Sequence, residues 1–192
     1  ILPMSDDPVQ TIIESDIGHL SFQEYFVKHQ SKPCIRNISF NGSTEASISP
    51  ELKNVIKDNG FKAIIVCPSN PYLSIDPILS IKEIKSFIES SSIPVVAVSP
   101  IVGGKALRGP TAKIMHEMDI PVSVMGIAEH YHPLIDGLVI DHKDKIMSSK
   151  IQSMGIAVQV TNTVMNCDSD KIQLAQDVVE FSQMISVKKD SL

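Results

Sequence analysis

The chain has 192 residues, 43% hydrophobic and 20% charged, which excludes a disordered protein and suits one domain of ordinary size. Its net charge of -5, from 17 basic and 22 acidic residues, argues against a general nucleic-acid binder. No apolar run approaches the roughly 18 residues that a membrane-spanning helix needs.

The opening Ile1-Leu2-Pro3-Met4 reads as the end of a buried strand. With no initiating methionine, the chain is expected to be a piece of a longer protein that lacks its N-terminal part. Residues 9–14 and 17–20 read as a hairpin around Ser15-Asp16. Ser21 with Glu24 three positions on is a capping box for a helix over 21–28. Residues 34–40 alternate and end at the turn signal Asn41-Gly42. A polar stretch, 41–50, leads to a helix at 51–57. These first 60 residues read as a small α+β insertion.

From Lys62 the pattern changes. Apolar, β-branched runs at 63–66, 94–98, 122–124, 137–140 and 156–160 read as strands buried on both faces. Between and after them lie helix candidates at 81–89, 111–117, 144–154 and 171–182. Ile81, Ile84, Phe87 and Ile88 recur at helical spacing, as do Leu174, Val178, Phe181 and Ile185. The alternation predicts an α/β fold, a Rossmann-like three-layer parallel sheet over 61–192 beside the insertion at 1–60. The polar end from Val187 is expected to fray. The methionines at 115, 118, 125, 147, 154 and 165 are expected to fill core gaps.

Three segments can carry chemistry. The first, Cys67-Pro68-Ser69-Asn70-Pro71-Tyr72-Leu73-Ser74, leaves a strand and enters a helix, where α/β sheets bind ligands. Ser69, Asn70 and Ser74 either help cradle a phosphate or simply cap a proline-stiffened turn. The second runs from Ser99 through Gly103, Gly104 and Lys105 to Arg108. Paired glycines let backbone approach a ligand, and the two cations suit an anion; the other reading is a flexible loop with solvated charges. The third is Asp6-Asp7 before Pro8. Adjacent carboxylates can share a magnesium ion, or they can serve as a turn. His130 and His132 stand two apart, which does not place both rings on one helical face. Cys34, Cys67 and Cys167 are odd in number, scattered, and form no CxxC pair, so neither zinc nor a disulfide framework is expected. Free thiols fit a reducing cytoplasm, and no secretory leader is read at the start.

Several stretches occur together and in order: Met-Ser-Asp-Asp-Pro-Val (4–9), Leu-Ser-Phe-Gln-Glu-Tyr-Phe (20–26), Pro-Ser-Asn-Pro (68–71), Val-Ser-Pro-Ile-Val-Gly-Gly (98–104) and Asp-Gly-Leu-Val-Ile-Asp (136–141). This set closely resembles the 2-phospho-L-lactate transferase family of coenzyme F-420 biosynthesis. The resemblance implies transfer of a phospholactyl or phosphoenolpyruvyl group from a guanosine diphosphate-linked donor to the terminal hydroxyl of the deazaflavin Fo. GMP is released and magnesium is required. It implies that Ser69, Asn70, Ser74, Ser99, Gly103 and Gly104 line a nucleotide–phosphate cleft, with Lys105 and Arg108 added here for their charge. Asp6 and Asp7 would serve the metal or act as base toward the acceptor, which makes residues 1–60 the acceptor side. Cys67 and Asp76 depart from the family pattern, each standing where glycine is expected. A homodimer is compatible with the resemblance, and a piece without its N-terminal part is expected to have negligible activity alone. A related family of gluconeogenesis factors shares the fold and binds nucleotide sugars as a regulator; its corresponding loop, Gly-Ser-Leu-Tyr-Thr-Ser, differs from the one here. A plain nucleotide-binding module is the third reading.

Overall fold

The computed structural model describes residues 1–58 and 60–189, and the chain divides into two compact units. One is built from residues 1–60, 70–89 and 109–120, the other from 61–69, 90–108 and 121–192.

The first unit holds a three-stranded antiparallel sheet of β1 (Gln10–Ser15), β2 (Gly18–Ser21) and β3 (Ile35–Asn41), in the order β2-β1-β3. Ile13 is central: it pairs with Leu20 on one side and Ile38 on the other and is fully buried. The hairpin closes where the Ser15 hydroxyl donates to the Gly18 carbonyl at 2.7 Å, and Gly18 supplies the positive φ of 111° that such a tight turn favours. Ser21 forms the expected capping box, its Oγ accepting from Glu24 N at 3.3 Å while Glu24 Oε2 accepts from Ser21 N at 3.0 Å. The helix so started continues as a π-helical turn, Glu24–Lys28, with His29 N donating to Glu24 O.

Asn41 ends β3 as the Asn-Gly signal predicts, and Gly42 takes φ 87°. Ser49 then caps α1 (Pro50–Lys57), accepting from Leu52 N, with Pro50 at the first helical position where its missing N–H costs nothing. A π-helical turn, Pro71–Ile75, runs into α2 (Asp76–Leu79) and then α3 (Lys82–Ser90). Ala46, Ile48, Ile81 and Ile84 form a small core, with Met4, Val9, Leu52, Ile56 and Ile88 packed around it. α4 (Thr111–Glu117) completes the unit with the bounds that the sequence predicts. The opening residues do not form the expected strand end: no strand covers residues 1–4, and Ile1 and Leu2 are exposed. Their backbone has no neighbouring strand to pair with among the described residues, and only Met4 O and Pro3 O are engaged, both by Ser49.

The second unit is the α/β part. β4 (Ile64–Val66), β5 (Val95–Val98), β8 (Gly137–Asp141) and β9 (Ala157–Thr161) form a parallel sheet in that order, after a two-stranded hairpin of β6 (Ile101–Val102) and β7 (Lys105–Ala106) follows β5. The register sets Val96 beside Gly137 and Val98 beside Val139, so these four share one face. The helix α7 (Asp168–Lys189) covers that face with Leu174, Val178, Phe181 and Ile185. Ala97, Leu138 and Ile140 point the other way and are equally buried, which is why these strands read as unbroken apolar runs. Gly137 is small for a reason: a Cβ there would lie 2.6 Å from Ile185 Cδ1 and 2.7 Å from Phe181 Cε1.

Two expected elements change here. Residues 122–124 are not a strand: Ser123 caps α5 (Val124–Tyr131), its Oγ accepting from Gly126 N at 3.2 Å. The helix expected over 144–154 is a 3-10 turn, His142–Met147, followed by the short α6 (Ser148–Gln152). Of the methionines, Met115 and Met125 are buried as expected, whereas Met165 is exposed. Val187 does not begin a frayed tail, since α7 continues to Lys189; residues 190–192 of that expectation lie outside the described residues.

Candidate functional site

Parallel pairing puts the carboxyl ends of β4 and β5 side by side, with Val66 opposite Ala97. The segments that leave these two ends are the proline-rich one, starting at Cys67, and the one carrying Gly103-Gly104. Within the second unit the fold therefore brings Ser69 and Ser99 to neighbouring strand ends, with Gly103, Gly104, Lys105 and Arg108 following. Asn70, Ser74, Asp6 and Asp7 belong to the first unit.

The double-glycine segment is an antiparallel hairpin, Ile101 pairing with Ala106 and Val102 with Lys105. Gly103 and Gly104 form its tip at φ 57° and 72°, a two-residue turn in which both positions need the left-handed region. The tip is exposed, and so are Lys105 and Arg108, neither of which forms an ion pair among the described residues. Ser99 has another task. It is 2% exposed, and its hydroxyl donates to Ile101 O at 3.0 Å and accepts from Ile101 N at 3.1 Å, which turns the chain out of β5 into the hairpin.

Asn70 carries a structural duty in the first unit. Its Oδ1 accepts from Tyr72 N at 3.0 Å and Leu73 N at 3.1 Å, capping the π-helical turn, while its Nδ2 is buried with no hydrogen-bond partner among the described residues. Ser74 is exposed on the same turn, its N–H donating to Asn70 O. Burial pushes the Tyr72 phenol up to about 12, with the Asp76 charge adding to it, so Tyr72 stays protonated at any working pH. Asp7 Oδ2 accepts from Ser47 N at 2.8 Å, and Ser5 Oγ reaches Ser47 O, fixing the 4–8 segment to the chain before α1. Asp6 and Asp7 are exposed. Among the described residues no group of three His, Cys, Asp or Glu side chains is arranged to hold a metal. Two carboxylates do suit magnesium, which takes one or two and fills the rest of its shell with waters and phosphate oxygens.

Sequence reasoning gave no role to two buried carboxylates at and just after the carboxyl end of β8. Asp141 is 4% exposed; its Oδ1 accepts from Lys143 N and its Oδ2 from Thr163 N, both at 3.1 Å. Asp144 is 8% exposed, and its Oδ2 accepts from Gly103 N at 2.8 Å. Asp144's signal in the sequence is position alone, an acid following an apolar strand at the carboxyl edge of a parallel sheet, whereas Asp141 also closes the 136–141 stretch that carries the resemblance.

The sequence profile described as "2-phospho-L-lactate transferase CofD" matches residues 1–182. The chain belongs to this family. It is 36% identical over 180 residues to the 2-phospho-L-lactate transferase of Methanosarcina mazei, covering 94% of this chain and 58% of that one. A protein of the same name from Methanocaldococcus jannaschii is 36% identical over 185 residues, with 94% and 57% covered. The chain thus spans a little over half the length of the curated relatives it matches. Among solved structures, a UPF0052 family member from Bacillus halodurans has a TM-score of 0.60 at 16% identity, covering 91% of this chain and 60% of that one. That likeness is one of fold. No helix among the described residues is long and apolar enough to cross a membrane, and the three cysteines are free and exposed.

A second polar cluster lies in the first unit. Lys113 Nζ donates to Pro33 O and to Glu117, each at 2.7 Å, and sits 3.5 Å from Tyr25 Oη. Glu117 Oε2 also accepts from Ile35 N at 3.0 Å. Burial alone would lower the Lys113 ammonium, but Glu117 and Tyr25 outweigh it and hold it above its ordinary value. Burial likewise works to raise Glu117, and the Ile35 N–H and Lys113 overcome it, so this carboxyl sits low. The Glu117 carboxylate pushes the Cys34 thiol up by hydrogen bonding and by charge, which disfavours its thiolate. This cluster ties α4 to the start of β3.

Proposed function

We propose that this chain acts in coenzyme F-420 biosynthesis as part of a 2-phospho-L-lactate transferase. A phospholactyl or phosphoenolpyruvyl group passes from a guanosine diphosphate-linked donor to the terminal hydroxyl of the deazaflavin Fo, and GMP leaves. One observation carries this reading beyond family membership: the exposed Gly103-Gly104 tip, followed by Lys105 and Arg108, belongs to the hairpin that leaves the carboxyl end of β5, the edge of the sheet where β4 also ends, and it lies against Lys143 and Asp144 after β8. A turn whose two residues carry no side chain, beside cations that form no ion pair among the described residues, suits a diphosphate; the Gly103 N–H is already given to Asp144, which leaves the Gly104 N–H and the cations to meet the ligand.

The reaction is attack of an alcohol oxygen on the donor's β-phosphorus. The new O–P bond forms as the bond from that phosphorus to the bridging oxygen breaks, GMP takes that oxygen, and the alcohol proton goes to a base. Such chemistry depends on alignment and charge neutralisation more than on covalent participation by the protein. The hairpin tip would hold the diphosphate, with Lys105 and Arg108 screening its charge and Ser69 offering a further hydroxyl. Asn70 and Ser74 would shape the proline-rich turn, and Ser99 would act indirectly, by setting the exit angle of the hairpin. Asp6 and Asp7 would hold magnesium, which supplies charge neutralisation when bound, or one of them would take the acceptor proton. The chain would act in the cytoplasm, as a monomer or a homodimer.

Titration of the 192-residue chain with GDP in the presence of magnesium, followed by amide NMR, tests this. Saturable binding that moves the Gly103 and Gly104 amide signals is expected, and a pyrimidine nucleotide sugar should bind more weakly. Shifts confined to other residues, or preference for the nucleotide sugar, would refute it.

A further inference from the structure

The turn after β8 is built onto the same hairpin. Asp144 sits on the 3-10 turn His142–Met147, almost fully buried, and its Oδ2 takes the Gly103 N–H at 2.8 Å across 41 positions of sequence. That turn is itself held from behind: Asp141 caps it through Lys143 N and grips Thr163, which is 3% exposed, through N–H and hydroxyl. Between the two acids stands Lys143. A Cβ placed on Gly103 would lie 3.6 Å from Lys143 Cδ and 3.8 Å from Lys143 Cβ, so the lysine stem runs along the bare backbone of the tip. Lys143 is exposed and forms no ion pair among the described residues.

We propose that this turn completes the anion site: Asp144 is the positioning residue that orients Gly103, and Lys143 is a phosphate-contacting cation laid beside the glycine pair. The proposal rests on the reading that the hairpin receives a nucleotide diphosphate. Three features would then act together. Gly104 leaves its backbone uncovered, Asp144 holds Gly103 and so removes the hairpin's freedom before ligand arrives, and Lys143 supplies charge at the tip itself, whereas Lys105 and Arg108 lie further along the chain. Pre-ordering a loop in its bound shape raises affinity because less freedom is lost on binding. A buried carboxylate opposes a nearby anion, so its presence needs a reason, and its bond to the Gly103 N–H provides one.

The test uses the 192-residue chain and GDP as the probe. Asp144→Ala should speed exchange of the Gly103 amide at least tenfold and weaken GDP binding about tenfold. Asp144→Asn keeps an acceptor oxygen and sheds the charge, so it should retain slow exchange and bind GDP as tightly as wild type or more tightly. A general loss of fold would not be rescued in this selective way. Lys143→Ala should weaken GDP binding about tenfold at unchanged melting temperature and flatten its salt dependence, while Lys150→Ala, at another exposed lysine in the same unit, should change neither. Unchanged Gly103 exchange in Asp144→Ala overturns the positioning role. Equal GDP affinity in Lys143→Ala, or an equal loss in Lys150→Ala, overturns the contact. Failure of wild type to bind GDP at all would instead overturn the donor-phosphate reading and Lys143's part in it, and the exchange measurement would still decide Asp144.

Discussion

Replacing Gly137 with alanine isolates the packing of α7 on the sheet. In the middle of a strand, alanine should help by about 0.5–1 kcal/mol, because glycine loses more backbone freedom on folding. Against that gain stands a Cβ 2.6 Å from Ile185 Cδ1 and 2.7 Å from Phe181 Cε1, both closer than real contacts allow. Ile185 and Phe181 are 6% and 5% exposed and belong to one core cluster with Val96, Val98 and Val139, so neither can swing into solvent. Overpacking of this kind costs about 1–3 kcal/mol. The net expectation is a loss of about 1–2 kcal/mol, which for a chain of this length lowers the melting temperature by about 2–8 °C. Thermal and urea unfolding followed by circular dichroism would measure it. Ile185→Val removes the Cδ1 atom and alone costs about 0.5–1.5 kcal/mol. Combined with Gly137→Ala, it should cost at least about 0.5 kcal/mol less than the sum of the two single changes. A melting temperature at or above wild type for Gly137→Ala, or strict additivity in the pair, would refute the argument.

Glu117→Ala should destabilise by about 1.5–3 kcal/mol in urea unfolding, because it strands the Ile35 N–H and deprives Lys113 of its partner. The pH dependence has two signs. Glu117 sits below its ordinary value, so its contribution is present above about pH 4.3 and is lost as pH falls through the folded value. Lys113 sits above its ordinary value, so its part is complete below about pH 10.4 and is lost as pH rises through the folded value. Melting curves of Glu117→Gln across the acid range should therefore fall less steeply than those of wild type. Gly42→Ala should cost about 2 kcal/mol or more by the same unfolding assay, because Gly42 has φ 87° and a Cβ there would collide with the Pro8 carbonyl oxygen. Asn70→Ala should cost about 1 kcal/mol, since Tyr72 N and Leu73 N lose their shared acceptor, with Asn70→Asp recovering most of it.

The parallel sheet was legible because its strands are buried on both faces: Val95 to Val98 and Gly137 to Asp141 are covered throughout and so carry almost no polar residue. The same cue misleads at Val122-Ser123-Val124. There the helix behind Ser123 is buried nearly all round, from Val124 to Ala128, and so shows no polar stripe to betray its period. The Ser21–Glu24 box and the Asn41-Gly42 turn are local chemistry and could be read directly. At the candidate site, the glycine pair and its neighbouring cations announce themselves within six residues. Asp144 does not, because its meaning lies in one hydrogen bond to a residue 41 positions away. Ser99 errs in the opposite sense: a serine on a strand end looks available, yet here its hydroxyl is used up two residues on.

Because the backbone changes unit after residues 60, 69, 89, 108 and 120, neither unit is a continuous stretch of sequence. A truncation at any one of these points strips essential pieces from its neighbour: stopping at residue 108, for example, deletes α4 and with it the Lys113–Glu117 tether to β3. During synthesis, β4 and β5 leave the ribosome before the antiparallel layer has its last helix. The first unit lacks its last piece until residue 120 is made, and the second lacks most of its pieces until residues beyond 121 are made, so each waits on sequence far downstream of its first segment. Dissecting this protein into working halves would require circular permutation or stitched linkers, not simple shortening.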